Sequence, residues 1–202
     1  MSTKRIITAL TAIAISGALL MGCTTSGDPT PSPSTASATP TSGTKVPPPA
    51  NEDEAITSAK DAITLLLEMQ SEINAAGGVD SDRYEEIAVD KALQIYQADA
   101  LRIAEGPLAN EDGENVEGQA TTEGAATFEP ITAYGQEYNG TPNALVIIPS
   151  CLDISDYRIT TADGKPAYRP ASDRNKVEYQ AIYDTERQQW LVSNQIDMGE
   201  TC

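Results

Sequence analysis

Val177–Ile196 reads VEYQAIYDTERQQWLVSNQI. Val177, Tyr179, Ala181 and Tyr183 alternate with Glu178, Gln180 and Ile182, the two-residue period of a strand with one buried face. Asp184–Gln188 turns the chain, and Trp190–Ile196 runs back as the hairpin partner. Toward the N-terminus, Ala144–Ile148 (ALVII) is a short apolar run rich in β-branched residues and predicts a central strand. Gly140-Thr141-Pro142 is the turn before it. Ala126, Phe128, Thr132 and Tyr134 alternate with Thr127, Glu129 and Ala133, and Pro130, which has no N–H to give, predicts an edge strand or a bulge there. Ile154–Thr161 is a further candidate strand, closed by Ala162-Asp163-Gly164. Asn110–Gly118 and Pro166–Asn175 read as loops.

Before residue 105 the period is helical. Asn51 with Glu54 three residues on is a capping signal, and Glu52, Asp53 and Glu54 suit the positive end of a helix. Ile56, Ala59, Ile63, Leu66, Leu67 and Ile73 form one apolar stripe, which Gly77-Gly78 ends. A short second helix is expected over Ser81–Ala88. A third starts with Asp90 as cap, carries Leu93, Tyr96, Ala100, Leu101, Ile103 and Ala104 on its apolar face, and stops at Gly106-Pro107. Helices followed by strands predict the α+β class: three N-terminal helices packed on a curved, mostly antiparallel sheet of four to six strands.

Residues 24–50 are nearly half Ser/Thr and about a quarter Pro, with Val46 the one large apolar side chain. Such a segment cannot nucleate a core and predicts a disordered, semi-stiff spacer. Ahead of it, Lys4 and Arg5 precede an apolar run, Ile6–Met21, too short to span a bilayer comfortably. That run ends in Leu20-Met21-Gly22-Cys23, which resembles the bacterial lipoprotein signal: an aliphatic residue, a small residue, then the cysteine that becomes the first mature residue. The resemblance implies removal of residues 1–22 and acylation of Cys23, with palmitate or similar chains holding the protein to the extracytoplasmic face of the cell membrane. The expected organisation is therefore a signal over 1–22, a lipidated linker over 23–50 and a globular domain over 51–202. With Cys23 acylated, Cys151 and Cys202 are the two cysteines left in an oxidising compartment, and they are expected to pair; two free thiols are the alternative.

Composition narrows the function. The formal charge is −17, from 13 Lys+Arg against 30 Asp+Glu, which disfavours nucleic acid as a partner. The mean hydropathy of −0.32 excludes a polytopic membrane protein. Histidine is absent, which removes imidazole bases, Ser-His-Asp triads and His-ligated zinc. Asn110–Glu114 and Asp153–Asp156 lack the residue order of a calcium loop, and there is no phosphate loop, so neither metal nor cofactor is expected. Eight tyrosines stand against one Phe and one Trp. Tyrosine can line a wet pocket or simply fill a core. Tyr96, Tyr134, Tyr179 and Tyr183, with Asp153, are the pocket candidates.

The succession of helices and meander resembles the nuclear transport factor 2-like superfamily, the cystatin-like α+β cone, and more narrowly the small secreted lipoproteins of actinobacteria built on it. The residues that carry the likeness are the signal at Leu20–Cys23, the Ser/Thr/Pro spacer and the apolar strand entering Cys151-Leu152-Asp153. They also include the Ala162–Pro166 turn, the Tyr179–Tyr183 strand, and Trp190-Leu191-Val192 followed by Cys202. The resemblance implies a membrane-anchored, non-enzymatic binding or interaction module of the cell envelope, whose partner is an envelope protein or small ligand. The alternative it implies is an isomerase or dehydratase that uses a buried carboxylate and a Tyr inside the cone. Fold alone does not decide between them.

Overall fold

In the computed structural model, which describes residues 45–202, Asn51 caps helix α1 (Glu52–Ala75) by accepting the Glu54 amide at 2.9 Å. The Glu54 carboxylate in turn accepts the Ala50 amide at 3.0 Å. The signal over 1–22, Cys23 and most of the linker lie outside the described residues. Helix α1 ends where Gly77 and Gly78 take φ of +84° and +76°, and the Gly78 amide closes on the Ile73 carbonyl. The expected second helix is a short 3-10 helix, Ser81–Glu86, so the described residues hold two α-helices and one 3-10 helix in place of the three helices expected. Its Tyr84 is fully buried.

Helix α2 (Asp90–Glu105) corrects the expected cap. Val89 holds the cap position, and Asp90 is the first helical residue. The reason lies in the sheet: the Val89 amide donates to the Val192 carbonyl and the Ile87 carbonyl accepts the Val192 amide, both at 2.9 Å, so the entry to α2 is stitched to a strand. On α2, Ala92, Tyr96, Ala100 and Ile103 are buried, whereas Leu101, expected on the apolar face, is 53% exposed.

The strands are β1 (Leu108–Ala109), β2 (Asn115–Val116), β3 (Thr121–Glu123), β4 (Thr127–Pro130), β5 (Tyr134–Tyr138), β6 (Thr141–Asp153), β7 (Arg158–Thr160), β8 (Arg174–Asp184) and β9 (Gln189–Thr201). All strand pairs are antiparallel. Five make the main sheet: β6 pairs with β4 and β5 along one edge and with β8 along the other, and β9 closes the far side of β8. The hairpin from Val177 has Tyr183 opposite Trp190 and Ala181 opposite Val192. Strands β4 and β5 are separated at Ile131–Ala133, just after Pro130, where the Ile131 and Thr132 amides both reach the Pro149 carbonyl. The turn expected at Gly140–Pro142 falls one residue earlier, at Asn139-Gly140, and Pro142 lies inside β6. Of the expected strand Ile154–Thr161, Arg158–Thr160 alone is extended, paired with β3 in a two-stranded ribbon. Inside the loop expected over Asn110–Gly118, Asn115–Val116 forms β2, which pairs with β1 just ahead of the loop in a second ribbon.

The core lies between α1, α2 and one face of the main sheet. Alternate residues of β6 (Ala144, Val146, Ile148) and β8 (Val177, Tyr179, Ala181, Tyr183) meet Ala55, Ala59, Ile63, Leu66 and Ile73 of α1. Burial of each large aliphatic side chain contributes about 1.5–3 kcal/mol. The core also recruits part of the expected linker: the Val46 amide donates to the Gln188 carbonyl, and its carbonyl accepts the Tyr183 hydroxyl, each at 2.7 Å. The packed domain thus starts before residue 51.

Cys151 on β6 and Cys202, just past β9, are joined in a disulfide with a Cα–Cα distance of 6.0 Å. Strand β8 lies between them in the sheet order. Two flat inter-strand steps would be about 9–10 Å, so Cys202, one residue past the end of β9, lies closer to β6 than a flat sheet would place it. The Cys202 amide bonds to the Arg174 carbonyl there.

Candidate functional site

At the end of the sheet where β6 runs out, the chain from Ile154 to Asp173 loops away and returns. The Ile154 amide bonds to the Asp173 carbonyl at the neck of this loop. Arg169 holds its interior, donating to the carbonyls of Ile154 and Tyr157 and to the Asp173 carboxylate. Asn110, fully buried, anchors the far side: it donates to Asp163 and accepts the Asp112 and Glu114 amides. Bonds from Thr161 and Asn110 hold the Asp163 carboxyl below the usual range. Lys165 sits 2.8 Å from Asp112 and 3.5 Å from Glu114, so a lysine ammonium fills the place that a cation would take in this acidic loop. Among the described residues no group of three or more Asp, Glu or Cys side chains is arranged to hold a metal ion.

Between this loop, the two helices and β9 lies a cavity of about 300 Å³. Helix α1 supplies Leu67 and Gln70, and α2 supplies Tyr96 and Asp99. The sheet end adds Ala126, Leu152 and Gln195, and the loop adds Ile154, Tyr157–Ile159 and Pro166–Pro170. Most of this lining is apolar, with a few polar groups converging on it, the usual make-up of a small-molecule site.

The polar groups are ordered. Tyr96 donates to Gln195 Oε1 at 2.7 Å. Tyr157 accepts from Asn74 Nδ2 at 2.8 Å. Asp99 has Arg102 at 3.3 Å, one turn further along α2. Burial nevertheless raises the Asp99 carboxyl above the ordinary range, with Arg102 opposing the shift. Burial likewise raises Tyr96, Tyr157 and Tyr84. Behind the wall, Tyr84 and Asn74 are buried, and the Tyr84 hydroxyl and Asn74 Oδ1 have no hydrogen-bond partner among the described residues.

Of the five expected pocket residues, Tyr96 alone lines the cavity. Tyr179 is fully buried in the core, against Phe128. Tyr183 packs edge-on to Trp190 and spends its hydroxyl on Val46. Tyr134 is 40% exposed on β5. Asp153 ends β6, where it accepts the Ser155 amide at 2.8 Å and meets Arg174 at 3.4 Å; Ser155 chiefly, and Arg174, hold its carboxyl below the usual range. The core, not the cavity, claims Tyr179 and Tyr183 because the inward face of β8 is covered by α1. Asp99 and Tyr157 were missed. Asp99 was within reach of the sequence, three residues after Tyr96 and so on the same side of α2; Tyr157 lies in an aperiodic loop that offers no such signal.

No family model and no curated protein matches the chain. Among solved structures, the intermembrane space region of the chloroplast protein ARC6 is similar at a TM-score of 0.48 and 8% identity, covering 72% of this chain and 96% of that one.

Proposed function

We propose that this chain is a lipid-anchored, extracytoplasmic protein of the cell envelope, and that its domain, of nuclear transport factor 2-like type, binds a small ligand in the cavity at the end of the sheet. The cavity carries the reading: an open space of about 300 Å³, apolar in the main, with ordered polar groups at its wall. The Leu20–Cys23 signal and the Ser/Thr/Pro spacer support the anchor. Among the described residues no helix is long and apolar enough to cross a membrane. The cysteine that ends the Leu20–Cys23 signal is the reason to assign attachment to acyl chains on Cys23. Intact mass of the protein from native membranes should show a diacylated Cys23 as the first residue, and Cys23→Ser should accumulate as unacylated precursor. Acylation absent from the mature protein would overturn the anchor. For the cavity, native mass spectrometry after exposure to an envelope extract should show one small molecule retained per chain, lost in Leu152→Trp, whose indole fills the space.

A second reading, proton transfer by an isomerase or dehydratase, is favoured by one observation: Asp99, with a raised carboxyl, shares the wall with Tyr157 and Tyr96. On this reading Asp99→Asn would abolish turnover and leave binding in place.

A further inference from the structure

We propose that the cavity takes a small organic cation with an apolar body, seated against the Asp99 carboxylate. This rests on the cavity being the ligand site.

The charges that face it are few. Among the described lining residues Asp99 is the sole carboxylate, and the cations are Arg158 and Arg169. Arg169 is spoken for: Nε and Nη2 bond Asp173, Nη1 bonds the Tyr157 carbonyl and Nη2 also bonds that of Ile154, so every guanidinium nitrogen is engaged in holding the loop. Arg158 is exposed and turns one Nη to the Tyr157 carbonyl at 3.2 Å, along the wall. Arg102 meets one oxygen of Asp99, but its own side chain is 59% exposed, and an exposed pair one turn apart on a helix contributes little. The second Asp99 oxygen has no partner among the described residues.

The remaining wall suits a cation's body. Leu67, Leu152, Ile154 and Ile159 are apolar, and Tyr96, Tyr157 and Tyr168 add three aromatic rings to the lining, of which Tyr96 and Tyr157 lie within electrostatic reach of Asp99. Aromatic faces attract cations, most of all where water is excluded. Lysine is missing from the described wall. Beyond the cavity, a formal charge of −17 draws cations toward the protein as a whole and repels anions. Partial burial, with the side chain 39% exposed, already disfavours the ionised form of Asp99, and a bound cation would relieve that cost.

The test uses the full chain in non-ionic detergent, titrated with benzyltrimethylammonium, its neutral carbon isostere neopentylbenzene, and the anion hydrocinnamate. The cation should bind at least about tenfold more tightly than the isostere, a difference of about 1.4 kcal/mol. Asp99→Asn should erase that difference and leave the isostere unchanged, and Arg158→Ala should tighten the cation further. Equal binding of cation and isostere, or tighter binding of hydrocinnamate that depends on Arg158, would overturn the cation while keeping the cavity as the site. Binding of all three that survives both Leu152→Trp and the milder Ala126→Leu would overturn the cavity itself, as would binding of none.

Discussion

The Tyr179 hydroxyl is buried near that of Tyr96, but Tyr96 gives its proton to Gln195, and among the described residues Tyr179 is left with no well-aligned hydrogen bond, only the neighbouring Tyr96 oxygen. A buried hydroxyl without a partner costs about 1–3 kcal/mol. Tyr179→Phe should therefore leave stability unchanged or raise it, whereas Tyr96→Phe strands Gln195 Oε1 and should cost about 1 kcal/mol by urea unfolding. A loss in Tyr179→Phe as large as in Tyr96→Phe would reveal a partner for that hydroxyl. Asp99 yields a prediction with a defined sign. Its carboxyl is raised in the fold from an ordinary value of 3.8, so the folded state holds the proton more tightly than the unfolded state does. Stability from this group is full below pH 3.8 and is lost as pH rises through the raised value. The stability of Asp99→Asn relative to the wild type should thus improve from acid toward neutral pH and then level off. Melting curves across that range would show it, and a flat difference would contradict the burial of the carboxylate. Tyr96 was legible from the apolar face of its helix; Asp99, missed in the sequence, is reachable from it by the same three-residue spacing. That Tyr179 and Tyr183 serve the core was not legible, because alternation shows which residues share a face and not what covers that face.

At the scale of elements, α1 can lie where it does because residue 78 has no side chain. A Cβ on Gly78 would sit 2.1 Å from the Ala100 carbonyl oxygen of α2, and its φ of +76° is strained for any other residue. Gly78→Ala should cost several kcal/mol, about what incompatible backbone and overpacking cost together. A chemical-denaturation midpoint close to the wild type would show that the two helices separate more freely than this contact allows. The glycine pair was legible as a helix stop, but its second task, letting one helix end rest on another backbone, depends on a tertiary approach that no local pattern encodes. The same division holds elsewhere. The long strands β6, β8 and β9 carry enough alternation or apolar content to be read directly. Ribbons of two or three residues, such as β1 with β2 and β3 with β7, are too short for a period, and they exist because Asn110, Asp163 and Arg169 hold their loops. Asp90 reads as a cap by residue type, yet the main-chain bonds between Ile87–Val89 and Val192 decide where α2 begins.

Over the whole molecule, β9 is held at its two ends by different means. Its first residues pair with β8 and, through Val192, with the segment that enters α2. Its last residues, from Ile196 on, are exposed, and Gly199 breaks the regular backbone at φ +68°. An exposed strand end on a sheet edge opens easily. The Cys151–Cys202 bond ties this end to the central strand and closes a loop with a sequence separation of 51. Chain entropy for such a loop amounts to about 4 kcal/mol, an upper figure because residual structure in the unfolded chain reduces it. At about 2–4 °C per kcal/mol for a protein of this size, the melting temperature should fall by up to roughly 16 °C on reduction, or in the Cys151→Ser, Cys202→Ser double variant. The loss should also be local as well as global. Because β9 keeps its bonds to β8 and to Ile87–Val89, hydrogen exchange in the reduced protein should quicken at residues 196–201 well before it does at residues 189–192. Reduced and oxidised protein that melt together would show that the crosslink constrains nothing the sheet does not already hold. Exchange that quickens equally along the whole strand would place its anchorage in the disulfide and not in the stitch to α2.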